Sequence, residues 1–111
     1  MDCIFCQIVA GEIPCDRVDE TDDVLVFRDI APQAPTHLLV IPKQHVTSLA
    51  ELEDEALGGK LLLAAAGNAR REGLDQGWRL ITNIGADGGQ EVHHLHFHVV
   101  GGHALGRMLQ R

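Results

Sequence analysis

The segment HLHFHVV, residues 94–100, constrains this chain more than any other. Histidine and apolar residues alternate, and side chains on a strand point to opposite faces in turn. His94, His96 and His98 are therefore predicted on one exposed face of a strand. Leu95, Phe97 and Val99 are predicted on the other, against a core. Five of the seven histidines fall between His93 and His103. A fold that contains this strand must cover its apolar face and leave an imidazole face open.

The cover is predicted from about Glu53 to Glu72. There Leu57, Leu61, Leu62, Ala65 and Ala69 recur at helical spacing, with Gly73 as the stop. Gly58-Gly59 weakens this helix by roughly 1 kcal/mol per residue relative to alanine, which allows a bend or a late start. CIFCQIVAGE places Ile4, Phe5, Ile8 and Val9 on a second, short helix ended by Gly11. Strands are predicted at about 16–20 and 23–29, in THLLVIP (36–42), in GWRLITNIG (77–85) and in the histidine segment. APQAP (31–35) is a loop because its prolines interrupt strand pairing. Several strands, one long helix and short connections give an α+β class with a largely antiparallel sheet. At 111 residues, without repeat or linker, the expectation is one domain, 1–111.

Charge and cysteine usage exclude several functions. The formal net charge is −7 and the only basic pair is Arg70-Arg71, so nucleic acid is not an expected partner. No apolar run is long enough for a membrane span. The first residues lack a basic leader pattern, so the expected location is cytoplasmic. Cys3, Cys6 and Cys15 are odd in number, which argues against a disulfide framework.

Three readings of the histidine strand compete. All three imidazoles could hold one metal, but residues i and i+4 on a strand lie roughly 13 Å apart, against zinc–nitrogen bonds of about 2 Å. They could be incidental on a half-exposed strand. Or they could act on phosphorus: imidazole serves as nucleophile or donor near neutrality, and GADGGQE (85–91) supplies unhindered backbone N–H groups for phosphate oxygens.

The motif HLHFHVV, together with DIAPQAPTHLLVIPKQH (29–45), NIGADGGQEVHHLHFHVVGG (83–102) and CIFCQIVAGEIP, resembles the histidine triad (HIT) superfamily. The resemblance spans nearly the whole chain and is strongest to the Hint branch of nucleotide-binding proteins. It implies a HIT-like fold: a five-stranded antiparallel sheet with one long and one short helix, the two sheets of a homodimer joined. It implies hydrolysis of purine nucleoside 5′-phosphoramidates and aminoacyl-adenylates through a nucleotidyl-histidine intermediate, with no cofactor needed for catalysis. In that pattern His96 is the nucleophile and His98 contacts phosphate and leaving group. His94 orients the nucleophile, and His37 is the fourth active-site histidine. Asp29 would bind the ribose hydroxyls, and Asn83, Gly89, Gln90 and Glu91 would form the phosphate loop. Ile4, Phe5, Ile8, Phe27 and Ile30 would line the base pocket, with plain core packing as the competing reading.

Two positions depart from the pattern. Glu91 stands where some relatives have serine, so only its backbone N–H is credited with a phosphate contact. His93 stands where many have tyrosine; it is expected on the core side or at a strand edge, without chemistry. The tail after the triad, HALGRMLQR, is brief, and in this family the tail tunes substrate choice. Cys3, Cys6, His45 and His94 match a Cys2His2 set on which some HIT relatives carry a structural zinc; buried, inert cysteines are the competing reading. The alternatives to a phosphoramidase are a dinucleoside polyphosphate hydrolase of the Fhit branch and a nucleotide-binding scaffold with incidental hydrolysis.

Overall fold

The computed structural model describes residues 3–109; the last two residues of the tail lie outside them. Along the chain the elements are helix α1 (Ile4–Val9), strands β1 (Arg17–Glu20), β2 (Val24–Arg28) and β3 (Thr36–Pro42), and a short 3-10 turn (Leu49–Glu51). Helix α2 (Glu55–Arg71) and strands β4 (Trp78–Ile81) and β5 (Phe97–Gly101) follow. The strands form one antiparallel sheet in the order β1-β2-β3-β5-β4. This is the α+β arrangement that the sequence predicts, with THLLVIP kept whole as β3 and other strand ends trimmed by up to four residues.

The sheet separates two apolar layers, because alternation sends neighbouring residues to opposite faces. Val24, Val26, Leu38, Val40, Phe97 and Val99 pack under α2 with Leu57, Leu61 and Ala65. Leu25, Phe27, Leu39 and Ile41 pack on the other face with Phe5 and Ile8 of α1. Helix α2 starts at Asp54, whose carboxylate accepts from the Leu57 N–H (3.2 Å). It ends with Arg70 and Arg71 in its last turn. Both are favourable placements for a helix dipole. Gly58-Gly59 does not interrupt it. One residue of the predicted stripe is misplaced: Leu62 is 50% exposed. The buried face takes Asn68 instead, held by Asp19 (3.0 Å) and the Ala64 carbonyl (2.8 Å).

The larger departure concerns the histidine segment. Strand β5 begins only at Phe97, and His94 lies in a bend before it. The expectation of three imidazoles on one exposed face is therefore corrected. His94 is fully buried and His96 is 8% exposed. Residues 94–96 are tied singly: the Leu95 N–H donates to the Val46 carbonyl (2.6 Å) and the Thr82 hydroxyl to the His96 carbonyl (2.8 Å).

Leu61 is fully buried at the centre of the α2 layer. Leu61→Ala is expected to cost about 2–5 kcal/mol, read as a lower urea midpoint at unchanged m-value. A cost under about 1 kcal/mol would contradict this packing.

Candidate active site

A cavity of about 400 Å³ opens on the α1 face of the sheet, over β3 and β5. Cross-strand register builds it: Leu39 is paired with His98 and His37 with Val100. His37 and His98 thus sit diagonally on one face, within reach of each other.

Hydrogen bonds to backbone groups settle which ring nitrogen carries each proton. His96 Nδ1 lies 2.7 Å from the His94 carbonyl. A carbonyl only accepts, so the neutral ring holds its proton on Nδ1 and has its lone pair on Nε2. On the neighbouring histidine the opposite results, in three steps. The Gln33 N–H donates to His37 Nδ1 (3.0 Å), so the proton of neutral His37 is on Nε2. That atom lies 2.9 Å from His98 Nδ1, which accepts. His98 therefore carries its proton on Nε2. The His96 and His98 rings stand 5.1 Å apart, one a lone-pair donor and the other a hydrogen-bond donor.

His98 remains neutral because burial pushes its pKa down to about 4; His96 and His37 add to the effect and Asp29 opposes it. Burial also lowers His37, again against Asp29. The Asp29 carboxylate is 3.5 Å from His37 Nε2 and accepts from the Ala31 N–H (2.8 Å). Phe5 stands edge-on to His96, ring centroids 5.2 Å apart, so α1 supplies one wall of the site.

Of the residues expected at the site, Asp29, His37, His96, His98, Asn83, Gly89, Glu91 and Phe5 line the cavity. Five others do not. Ile8 and Phe27 lie beneath Phe5 in the core. Ile30 is 99% exposed in the bend after β2, and Ile4 is 45% exposed. Gln90 turns away and clasps the loop: its side chain accepts from the Gly85 N–H (2.9 Å) and donates to the Thr47 and Val92 carbonyls (2.7 and 3.1 Å). The Gly89 and Gln90 N–H groups close the loop onto the Ala86 and Gly85 carbonyls. Asn83 donates to the Gly88 carbonyl (2.7 Å). Gly88 is required there, since a Cβ would collide with the Ile84 carbonyl. His93 is exposed rather than core-facing, and lines a second cavity beside Ile4, Cys3 and His45.

Sequence reasoning missed four cavity residues: Ala31, Gln33, Leu39 and Val92. Leu39 was within its reach, because alternation in THLLVIP places His37 and Leu39 on one face. Gln33 acts through its main chain, which no residue pattern reports.

A second cluster lies below His96. His94 Nε2 is 2.8 Å from the Pro42 carbonyl, so that nitrogen carries the proton and Nδ1 is bare. Burial lowers the His94 pKa, with His45 and His96 adding and Pro42 opposing. Its Nδ1 faces His45 Nδ1 (3.2 Å), Cys3 Sγ (3.3 Å) and Cys6 Sγ (3.6 Å); Cys6 Sγ is 3.3 Å from His45 Nδ1. A tetrahedral zinc site, with bonds of about 2.0–2.3 Å, has ligand–ligand edges of about 3.3–3.8 Å, so these four atoms fit one. The group Asp29, His37 and His98 is equally compact, yet the Gln33 N–H occupies one nitrogen of His37 and a proton the other. It fits a hydrogen-bond relay better than a metal site.

The model of the HIT domain family matches residues 10–105. The chain belongs to this family. An HIT-like protein of Synechococcus elongatus is 52% identical over 106 residues, covering 94% of this chain and 93% of that one. The protein HitA of Neisseria gonorrhoeae is 48% identical over 101 residues, covering 89% and 94%. Among solved structures, a HIT family hydrolase from Legionella pneumophila superposes with a TM-score of 0.91 at 46% identity, covering 94% of this chain and 96% of that one. A histidine triad protein from Clostridium difficile superposes at 0.92 with 46% identity, covering 98% and 97%.

Burial of neutral His98 has a measurable consequence. The unfolded histidine takes up its proton near 6.5 and the folded one only near 4. Between those values the unfolded state binds more protons, so stability falls as pH drops from 6.5 toward 4. The urea midpoint is expected to decline across that window, and less steeply in His98→Gln. Equal slopes would contradict a buried neutral His98.

Proposed function

We propose that the protein hydrolyses purine nucleoside 5′-phosphoramidates by way of a nucleotidyl-histidine intermediate on His96, as in the Hint branch. The observation that carries this reading is the pair of opposed tautomers. His96 Nε2 offers a lone pair at the cavity, and His98 Nε2–H offers a donor beside it. Displacement at phosphorus needs both at once.

His96 Nε2 attacks phosphorus, forming an N–P bond as the bond to the departing nitrogen breaks. The amine leaves with a proton taken from solvent water in the open cavity. The ring becomes a cationic phosphoimidazole whose Nδ1–H points at the His94 carbonyl, which favours that charge. Water then attacks the same phosphorus and releases a proton to solvent, the N–P bond breaks, and His96 regains its lone pair. His98 donates to phosphoryl oxygen throughout, neutral and backed by His37. Asp29, on the cavity wall, suits ribose hydroxyls because a carboxylate accepts two hydrogen bonds. Phe5 and Leu39 offer apolar surface to the purine. The structural neighbour from Legionella pneumophila, a HIT family hydrolase, supports the reaction class. Aminoacyl-adenylates fit the same site, since only the leaving atom differs.

The charge of the cavity favours a single phosphorus over a polyphosphate chain. Among the described residues its lining contains two carboxylates, Asp29 and Glu91, and neither lysine nor arginine. Arg79 lines only the adjoining cavity and is engaged with the Gly106 carbonyl. Sites that hold several phosphates supply cations, commonly Lys, Arg or Mg²⁺. This weighs against the dinucleoside polyphosphate reading. A competent nucleophile–donor pair weighs against a pure scaffold.

We further read Cys3, Cys6, His45 and His94 as a structural zinc site. Four filled protein ligands leave no position for substrate, so a zinc there braces the fold and supplies no reaction step. The chain's own residues then do the positioning: a fixed His94 presents its carbonyl to His96. A homodimer joined through its sheets is part of the same reading. The edge strand β4, with Trp78 and Leu80 each more than a third exposed, supports it.

With adenosine 5′-phosphoramidate, His96→Asn is expected to lower turnover more than roughly 10³-fold while calorimetry still detects AMP binding. Turnover within tenfold of wild type would overturn the nucleophile assignment. Metal analysis of protein grown with zinc is expected to give one zinc per chain, lost in Cys6→Ser together with several degrees of melting temperature. Absence of zinc from the wild type would overturn the metal reading.

A further inference from the structure

The acidic wall of the cavity raises a problem that its histidines do not solve. A phosphoramidate diester carries a negative charge, yet among the described residues Asp29 and Glu91 line its site without a lysine or arginine. Arg79 lines the adjoining cavity that shares His37 and His98, where it donates to the Gly106 carbonyl. The chain as a whole is at −7. Asp29 is partly occupied, since one carboxylate oxygen takes the Ala31 N–H and the other faces His37. Glu91 is different. It is exposed, belongs to none of the ion pairs among the described residues, and lines both the main cavity and its neighbour. It directly follows Gly89 and Gln90 of the loop beside Asn83.

We propose that Glu91 is a specificity-determining residue that selects substrates whose departing amine carries a positive charge. This rests on the phosphoramidate reading of the site and names its leaving group. The purine and ribose are uncharged, so the leaving group is the part of the substrate that can bring a cation to the acidic wall. The Debye length at physiological salt is about 8–10 Å, the same scale as a cavity of about 400 Å³. A carboxylate on its wall therefore acts on a charged substituent without direct contact. It disfavours a second anion and favours an ammonium group. Because Glu91 is exposed, the selection is modest and salt-sensitive, on the order of three- to fivefold, as exposed ion pairs are.

The test uses two adenosine 5′-phosphoramidates matched in length, one made from 1,4-diaminobutane and one from 1-aminopentane. Their kcat/KM values are compared for wild type and Glu91→Gln at 50 mM and 500 mM salt. The expected result is a three- to fivefold preference for the ammonium-bearing compound in wild type at low salt. That ratio should fall toward one at high salt and in Glu91→Gln. Equal kcat/KM in wild type, or an undiminished ratio in Glu91→Gln, would overturn the proposal. The same pair is titrated calorimetrically against His96→Asn, with and without Glu91→Gln. If neither compound is turned over but the binding ratio follows Glu91, the phosphoramidase reading fails and the selection stands. If both are turned over without a Glu91-dependent ratio, the reaction stands and the selection fails.

Discussion

The hydrogen bond from His96 Nδ1–H to the His94 carbonyl, 2.7 Å long, is the contact on which the rest of the site depends. It joins two residues of the same short segment, so a small rotation of the His94 peptide would release it. Several separate anchors prevent that rotation. The His94 ring donates to the Pro42 carbonyl, the Leu95 N–H donates to the Val46 carbonyl, and the Thr82 hydroxyl donates to the His96 carbonyl. Phe5 closes the remaining side of the His96 ring. A bent segment held by individual bonds does what a regular ladder would not: it turns His94 toward the Cys3–Cys6 cluster and keeps His96 beside His98.

The sheet divides labour between its faces. Under α2 the packing is almost wholly apolar, with Leu61, Leu38, Val40 and Val99 fully buried. On the α1 face, β3 and β5 contribute His37, Leu39 and His98 to the cavity. Polar groups on that face avoid the cost of burial by bonding to backbone donors and acceptors. Gln33 serves His37, Pro42 serves His94, and His94 serves His96. The same bonds that satisfy burial fix the tautomers, so stability and reactivity share a set of contacts.

How far this was readable from the sequence depends on which atoms do the work. Alternation in HLHFHVV and THLLVIP, and helical spacing from Leu57 to Ala69, carry the side-chain pattern of the two layers, and the layers formed as expected. The bend at His94 was not readable, because alternation cannot distinguish a strand from an extended segment that leaves the ladder. The tautomer relay was also hidden. It runs through the Gln33 N–H and the His94 carbonyl, and every residue carries those groups. Leu62 falls off the buried stripe and Asn68 falls on it, where Asp19 and the Ala64 carbonyl retain it. The apolar set Ile4, Ile8, Phe27 and Ile30 shows how a motif can name residue types without naming their exposure. Two of them are core and two face solvent.

The account is most directly open to test through the ring protons themselves. Long-range ¹H–¹⁵N spectra of the imidazoles, recorded at pH 7 on uniformly labelled protein, report the protonation of each nitrogen separately. The structure requires His96 to carry its proton on Nδ1, and His98 to carry its proton on Nε2 with Nδ1 bare. Finding that arrangement would place a lone pair and a donor side by side at the cavity. Finding both rings in one tautomer, or His98 doubly protonated at pH 7, would contradict it, and with it the assignment of His96 as nucleophile and His98 as donor.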